Sequence, residues 1–435
     1  MTVMSSQPLA AVLTLGCKLN LADSESIASG LRDRGFAVVD RLCEADAYVV
    51  NTCSVTHVAD RKARRLIRCV RRLAPQAVVT VAGCYPRTAP PGEVARLGAD
   101  FVAGTGEAER AAVVAFLDGR FHARQPGVAP APGPGLRTRA FIRVQEGCND
   151  VCAFCIVPRT RGRERSRPAA EVVAEVRAAV SLGVREVVLT GTQLGAWGRD
   201  FVAPERPASL IAEVLAGTDV PRLRFSSLQP QDITPELLAL WEDPRVMPHF
   251  HLALQSGSDR TLARMRRRYT AREFLDAAAR IRAVAPDAAI TTDIIAGFPG
   301  ETTADVDETL TLAREVGFAR IHAFPYSPRQ GTSAAFLPER VAPAVLAERM
   351  ARLLALGSEQ SAAFASRFNG STRPVLWERP RSPGAGLPER PHGHTDNYIS
   401  AYASDDAGAA ELHNRITPVV LGAPLGDGLA AWRNR

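Results

Sequence analysis

The sequence predicts an α/β protein in three parts. These are an N-terminal α/β domain on a parallel sheet (8–122), a central partial (βα)6 barrel (138–366) and a small C-terminal all-β domain (367–433), with a linker at 123–137. Three observations predict it. Through the first 120 residues, short β-branched runs alternate with stretches of helical periodicity, which implies parallel strands joined by crossover helices. The alternation resumes beyond residue 137 with six more strand candidates. After about Asn369 it gives way to short β-type runs punctuated by Gly and Pro. At 435 residues the chain is longer than one hydrophobic core usually serves, so two or three domains are expected.

In the first part the apolar runs are Ala11 to Leu15, Tyr48 to Asn51, Val78 to Ala82 and Phe101 to Ala103, each followed by a helical pattern. Cys17, Cys53 and Cys84 each fall one to three residues beyond a different run. All three therefore belong to the carboxyl edge of the sheet, where open α/β sheets bind ligands. The segment Gln125 to Gly135 is rich in Pro and Gly and reads as a linker. Strand candidates then begin at Phe141, Glu186, Arg222, Phe250, Ala289 and Arg320. Six βα units fit an incomplete parallel barrel better than a closed eightfold one. In the tail, Arg381 to Pro391 reads as a flexible stretch.

Hydrophobic residues make up 46% and charged residues 23%, ordinary for a globular chain and unlike a disordered or fibrous one. The net charge of +7 and a pI near 9.2 favour polyanionic partners. The excess is grouped at Arg61 to Arg65, Arg159 to Arg167 and Arg264 to Arg268, which suits a phosphate backbone, although each group also suits a solvated helix face. No secretory signal pattern and no apolar stretch of roughly 20 residues is present, so a cytoplasmic protein without membrane contact is expected. Thiols stay reduced there, and the eight cysteines read first as metal ligands or catalytic groups.

The sharpest signal is Cys148-Asn-Asp-Val-Cys152-Ala-Phe-Cys155, just after the first strand of the second part. Three thiolates in a CxxxCxxC loop suit three irons of a cubane and leave the fourth open to a small molecule. A zinc site usually takes four ligands in paired elements, and no fourth Cys or His lies close by. Cys43 and Cys69 match no motif and read as buried thiols.

This loop, with Phe154 before its last cysteine, resembles the radical S-adenosylmethionine superfamily. Across nearly the whole chain the resemblance narrows to its methylthiotransferases. It is carried by Gly16-Cys-Lys-Leu-Asn20, Asn51-Thr-Cys-Ser-Val-Thr56, Gly83-Cys-Tyr85, Arg161-Gly-Arg-Glu-Arg-Ser-Arg167, Gln255-Ser-Gly-Ser258, Gly297-Phe-Pro-Gly-Glu301 and Phe324-Pro-Tyr-Ser327. The resemblance implies two [4Fe-4S] clusters, one on Cys148, Cys152 and Cys155 and one on Cys17, Cys53 and Cys84, each with an open iron. It implies that one S-adenosylmethionine methylates a cluster-bound sulfur and a second yields the 5′-deoxyadenosyl radical. An unactivated aromatic C–H bond needs such a radical, and holding the sulfur close lets proximity do the rest.

Gly191 and Gln193, in Thr190-Gly-Thr-Gln193, occupy the place where such enzymes contact the methionine moiety. Ser226, Gln255 and Asp293 lie at or near later strand ends on the same face and are expected to hold cofactor or base, with Asp293 where many members have Gly. Arg159, Arg161, Arg163, Arg165 and Arg167 are expected to touch RNA phosphates. The tail segment His394-Thr-Asp-Asn-Tyr398 resembles the TRAM-type RNA-binding module of these enzymes.

Among substrates, Cys17-Lys-Leu-Asn20, Gln145-Glu-Gly-Cys-Asn149, Phe324-Pro-Tyr-Ser327 and Thr395-Asp-Asn-Tyr398 are most similar to the branch that acts on threonylcarbamoyl-adenosine, at A37 of the tRNA anticodon loop. Gln229 departs from it, standing where Glu is expected. The alternatives are isopentenyl-adenosine at the same position, an aspartate of a ribosomal protein, and a non-catalytic iron–sulfur RNA-binding protein. The expected partners are tRNA and an electron donor such as flavodoxin or ferredoxin, and the chain is expected to be a monomer.

Overall fold

The computed structural model describes residues 7–121, 138–225, 227–404 and 409–433. They form two compact units. One comprises 7–121 with 146–165 and 327–335, and the other 138–145, 166–326 and 336–433.

In the first unit five parallel strands lie in the order β2-β1-β3-β4-β5: β1 Leu9–Thr14, β2 Ala37–Val39, β3 Ala47–Thr52, β4 Val78–Gly83 and β5 Phe101–Val102. Neighbouring side chains of each strand face opposite ways. Val12 and Val49 pack with Ile27, Leu31, Val113 and Leu117 of helices α1 (Lys18–Arg32) and α4 (Glu107–Phe121). Leu13 and Val50 instead pack with Ala63, Ile67 and Val70 of α2 (His57–Leu73), and Val94 of α3 (Glu93–Arg96) joins that layer. Burial on both faces gives the near-continuous apolar strands of a parallel sheet. Strand β2, absent from the sequence reading, is three half-buried residues at the sheet's edge, too short for a periodic signal.

The second unit carries six parallel strands. Strands β6 (Arg139–Arg143), β9 (Glu186–Thr190) and β10 (Arg222–Phe225) form one ladder, and β11 (His249–His251), β12 (Ala289–Ala296) and β13 (Arg320–Pro325) a second. A bridge between Leu228 and Leu252 continues the array from one to the other. The two short strands β7 (Gln145–Glu146) and β8 (Arg165–Ser166) flank the cysteine loop in sequence. A single core from Ile142 to Leu356 fills the unit between the strands and the helices of its βα repeats.

The C-terminal strands close a small barrel in the order β14-β15-β16-β18-β17: β14 Thr372–Trp377, β15 His392–Thr395, β16 Ser400–Ala403, β17 Ile416–Leu425 and β18 Gly428–Arg433. It has its own core of Val375, Trp377, Ala401, Val419, Leu421 and Leu429, and Phe364 and Phe368 of the preceding helix and turn pack into it. Arg381 to Pro391, expected to be flexible, is tied down where Arg381 pairs with Asp427 at 2.5 Å and bridges to Arg390. The amino ends of the six-stranded array are fixed to this barrel by a buried ion network. Glu186 meets Arg224 at 2.9 Å and Arg139 at 3.3 Å, while Arg222 and Arg224 donate to the carbonyls of His394, Pro374, Thr395 and Asp396. Three arginines around one carboxylate keep Glu186 ionised despite its burial. Among the described residues no helix is long and apolar enough to cross a membrane.

Candidate functional site

Both cysteine trios fall in the first unit. Cys17 lies three residues past β1, and Cys53 and Cys84 directly follow β3 and β4. Glycines bring these strand ends close. Gly16, at φ +127°, is so near Cys53 that a Cβ there would sit 2.6 Å from the Cys53 Cβ. Gly83, at φ +100°, leaves room for only 2.4 Å to the carbonyl of Thr52. Side chains are disfavoured at both.

The three thiols act on one another electrostatically, Cys53 with Cys17 and Cys84, and Cys84 with Cys17. Cys53 and Cys84 are buried and Cys17 is exposed. Burial pushes Cys53 up to about 12 and raises Cys84 as well. Two buried thiols whose burial favours the protonated form, beside an exposed third, suit a metal group whose binding expels the protons. The trio is not gathered tightly enough to hold one ion, which a cubane, being wider, does not require.

The second trio rides on one continuous loop. Gly147, at φ +75°, passes so close to Arg163 that a Cβ would come within 1.9 Å of its carbonyl oxygen. The Cys148 amide donates to the Gly162 carbonyl at 3.1 Å, and the Cys155 amide to that of Cys152 at 3.1 Å. The Ala334 amide holds the loop's middle at the Ala153 carbonyl, 2.8 Å away. All three thiols are partly exposed, and burial together with the charges of Asp150, Cys152 and Glu164 pushes Cys148 up to about 11. Phe154 is half-buried beside them.

Arg161 joins the two loops. It ends the short helix α5 (Val157–Arg161), is 6% exposed, and donates to Glu146 at 3.0 Å, Asp23 at 3.0 Å and Asn20 at 3.2 Å. Asn20 in turn accepts from the Cys17 thiol at 3.3 Å and donates to the Thr52 carbonyl at 3.0 Å. Asp23 is shared with Arg110 at 2.9 Å. The guanidinium lies beside Cys84 as well, its charge opposing the effect of burial on that thiol. One buried cation thus binds the CxxxCxxC loop, helix α1 and the strand-end thiols into one piece. A second network steadies the Cys53 turn, where Arg329 donates to Ser54 and to Asp60, each at 2.7 Å.

This corrects the reading of the Arg-rich loop. Arg161 is consumed by internal carboxylates and does not face phosphate. Arg167 is held by the Arg143 carbonyl at 2.8 Å and by Glu175 at 2.5 Å. Arg159, Arg163 and Arg165 are exposed, although Arg159 lies over the backbone of Gly331.

In the second unit, Gly191 and Gln193 directly follow β9, Gln255 lies four residues past β11, and Asp293 stands within β12. The Gln193 amide donates to the Gln145 side chain at 3.0 Å, and Gly191 faces the same side chain, a Cβ there falling 3.1 Å from it. Gln255 takes a positive φ of 64° and pairs across to β12, its amide donating to the Asp293 carbonyl at 2.8 Å. Asp293 meets His251 at 3.3 Å, a partner the sequence reading missed. Ser226 lies outside the described residues.

A six-stranded parallel βα array with a three-thiol loop after its first strand places the chain in the radical S-adenosylmethionine class. Residues 142–313 match the Radical SAM superfamily and residues 10–104 the Uncharacterized protein family UPF0004. The chain is 35% identical to "Threonylcarbamoyladenosine tRNA methylthiotransferase MtaB" of Bacillus subtilis (strain 168), covering 95% of this chain and 94% of the relative. It is 37% identical to "tRNA-2-methylthio-N(6)-dimethylallyladenosine synthase" of Geobacter metallireducens, covering 98% and 99%. A solved radical S-adenosylmethionine methyltransferase, TsrM from Kitasatospora setae, shares the fold with a TM-score of 0.53 at 16% identity over 73% of this chain and 72% of its own. The chain belongs to the radical S-adenosylmethionine methylthiotransferase family, whose enzymes use S-adenosylmethionine and two [4Fe-4S] clusters.

Proposed function

We propose that the protein adds a methylthio group to C2 of N6-threonylcarbamoyladenosine at position 37 of tRNA. The observation that carries this is the pair of thiol trios in one unit, with Arg161 of the loop that holds one trio bonded to the helix that begins beside Cys17 of the other. S-adenosylmethionine and two [4Fe-4S] clusters, when bound, supply a radical able to break an aromatic C–H bond and a sulfur held for transfer. Cys148, Cys152 and Cys155 would hold the cluster that meets S-adenosylmethionine, and Cys17, Cys53 and Cys84 the one that presents sulfur. Gly191, Gln193, Gln255 and Asp293 line the strand ends where the methionine, ribose and adenine parts need polar partners.

The threonylcarbamoyl substrate is supported by Cys17-Lys-Leu-Asn20, Gln145-Glu-Gly-Cys-Asn149, Phe324-Pro-Tyr-Ser327 and Thr395-Asp-Asn-Tyr398, while the relatives' names divide between the two adenosines. Gln229, the departure, has a local explanation. Its side chain caps the turn Pro230–Asp232 and accepts from Gln231 at 3.0 Å, roles that the amide oxygen fills as well as a carboxylate. Nucleoside mass spectrometry of tRNA from a deletion strain tests the proposal. Loss of the methylthio form of threonylcarbamoyl-adenosine is expected. Loss of the dimethylallyl form, or of neither, overturns the assignment.

A further inference from the structure

Helix α2 begins four residues after Cys53 and carries Arg61, Lys62, Arg64, Arg65, Arg68, Arg71 and Arg72 against a single acid, Asp60. The cations divide by partner. Arg64 reaches Glu93 at 3.8 Å and Arg71 reaches Asp100 at 2.7 Å, while Asp60 is engaged by Arg329. Arg61, Arg65, Arg68 and Arg72 are exposed and have no ion-pair partner among the described residues. Their spacing of four, three and four puts them on one face, a stripe about 16 Å long at roughly 1.5 Å per residue.

The fold rewards this arrangement only at Arg72, which stands in the last turn at the negative end of the helix dipole. Like charges three and four residues apart destabilise a helix, and a face kept merely for solubility is laced with both signs. Arg61, Arg65 and Arg68 lie before the last turn, away from the negative end of the helix dipole where cations are favoured. The C-terminal barrel differs, its Arg373, Arg381 and Arg433 each being paired with a carboxylate. At the start of α2, Val55 and Val58 are 50% and 44% exposed, an apolar step between Cys53 and the stripe.

We infer that the exposed face of α2 is a phosphate-binding track for the tRNA, with Arg61, Arg65, Arg68 and Arg72 as its contacts. The inference rests on the tRNA reading above. A row of unneutralised guanidinium groups fits the regular charge of a nucleic-acid strand and releases its counterions on binding.

The test is tRNA binding by the reconstituted holoenzyme across a potassium chloride series, using tRNA from the deletion strain. Wild type is compared with R61Q/R65Q/R68Q/R72Q and with the four lysine substitutions. Iron content and thermal unfolding show that each variant is folded. The glutamine variant is expected to bind at least about tenfold more weakly at low salt. Its log–log salt slope should be shallower by about three, at roughly 0.7 to 0.9 per lost phosphate contact, with the lysine variant near wild type. An unchanged slope and affinity in the glutamine variant overturn the inference while leaving the tRNA reading intact. Retained tRNA binding with slowed reduction by an acidic flavodoxin also overturns it, assigning the stripe to a protein donor. Failure of wild type to bind tRNA overturns both readings.

Discussion

The two thiol trios reach one unit by opposite routes. Cys148, Cys152 and Cys155 sit on a single loop whose shape is set locally, by the turn at Gly147 and the amide of Cys148 on Gly162. Cys17, Cys53 and Cys84 come from three strands and meet only once the parallel sheet has formed, with close approaches at Gly16 and Gly83. The first trio is partly open and the second largely dry. A loop trio suits a group that must admit a small molecule, while a trio with two buried members suits one that keeps a reactive sulfur from water.

The largest expected effect separates the two by role. Cys152→Ala should abolish 5′-deoxyadenosine formation, whereas Cys53→Ala should retain it and lose only methylthio transfer, both read by product mass spectrometry. Loss of 5′-deoxyadenosine in both would merge the roles. Next is the bracket between the trios. Arg161→Met leaves Asp23 and Glu146 buried without their shared cation and should destabilise the protein by about 3 to 5 kcal/mol, measured by denaturant unfolding. A loss under about 1 kcal/mol would mean the loops are held independently.

The strand-end route predicts a further effect. Gly83→Ala, with a strained positive φ and a carbonyl 2.4 Å from the new Cβ, should destabilise by about 2 to 4 kcal/mol and reduce iron at the N-terminal trio. Full iron retention would place the convergence elsewhere.

The last effect, seen only as pH falls below about 6.5 and absent at neutral pH, lies away from both trios and serves as their control. Burial in the C-terminal barrel, with Arg381 and Arg139 nearby, lowers His392 to about 4. The unfolded histidine titrates near about 6.5, so between there and 4 the unfolded chain binds more protons. The contribution is present above about 6.5 and is lost as pH falls towards 4, on the order of 3 kcal/mol in all. His392→Gln should flatten that slope in pH-dependent thermal unfolding, and an unaltered slope would assign it to other groups.

The contrast between the trios also explains how much was legible in the sequence. A loop trio is written as spacing, so Cys148, Cys152 and Cys155 are readable directly. The N-terminal trio was legible because parallel βα units put strand ends on one edge, and the apolar runs before Cys17, Cys53 and Cys84 are strong. The six parallel strands of the second unit were visible for the same reason. What was hidden depends on packing that no local pattern encodes. Arg161 sits among exposed arginines in sequence, and only the fold brings Asn20, Asp23 and Glu146 around it. The pairing of Asp293 with His251 needs two strands in register, and the edge strand Ala37–Val39 is too short to show a period. The α2 stripe was visible as composition, yet its division into paired and unpaired cations required Glu93 and Asp100, which are distant in sequence.

The most direct test of the central claim, that each trio holds its own cubane, is iron and labile-sulfide analysis of anaerobically reconstituted wild type beside a C17A/C53A/C84A variant. About eight irons per chain are expected in wild type and about four in the variant, with 5′-deoxyadenosine formation kept. About four irons in wild type, unchanged when the three N-terminal thiols are removed, would contradict it.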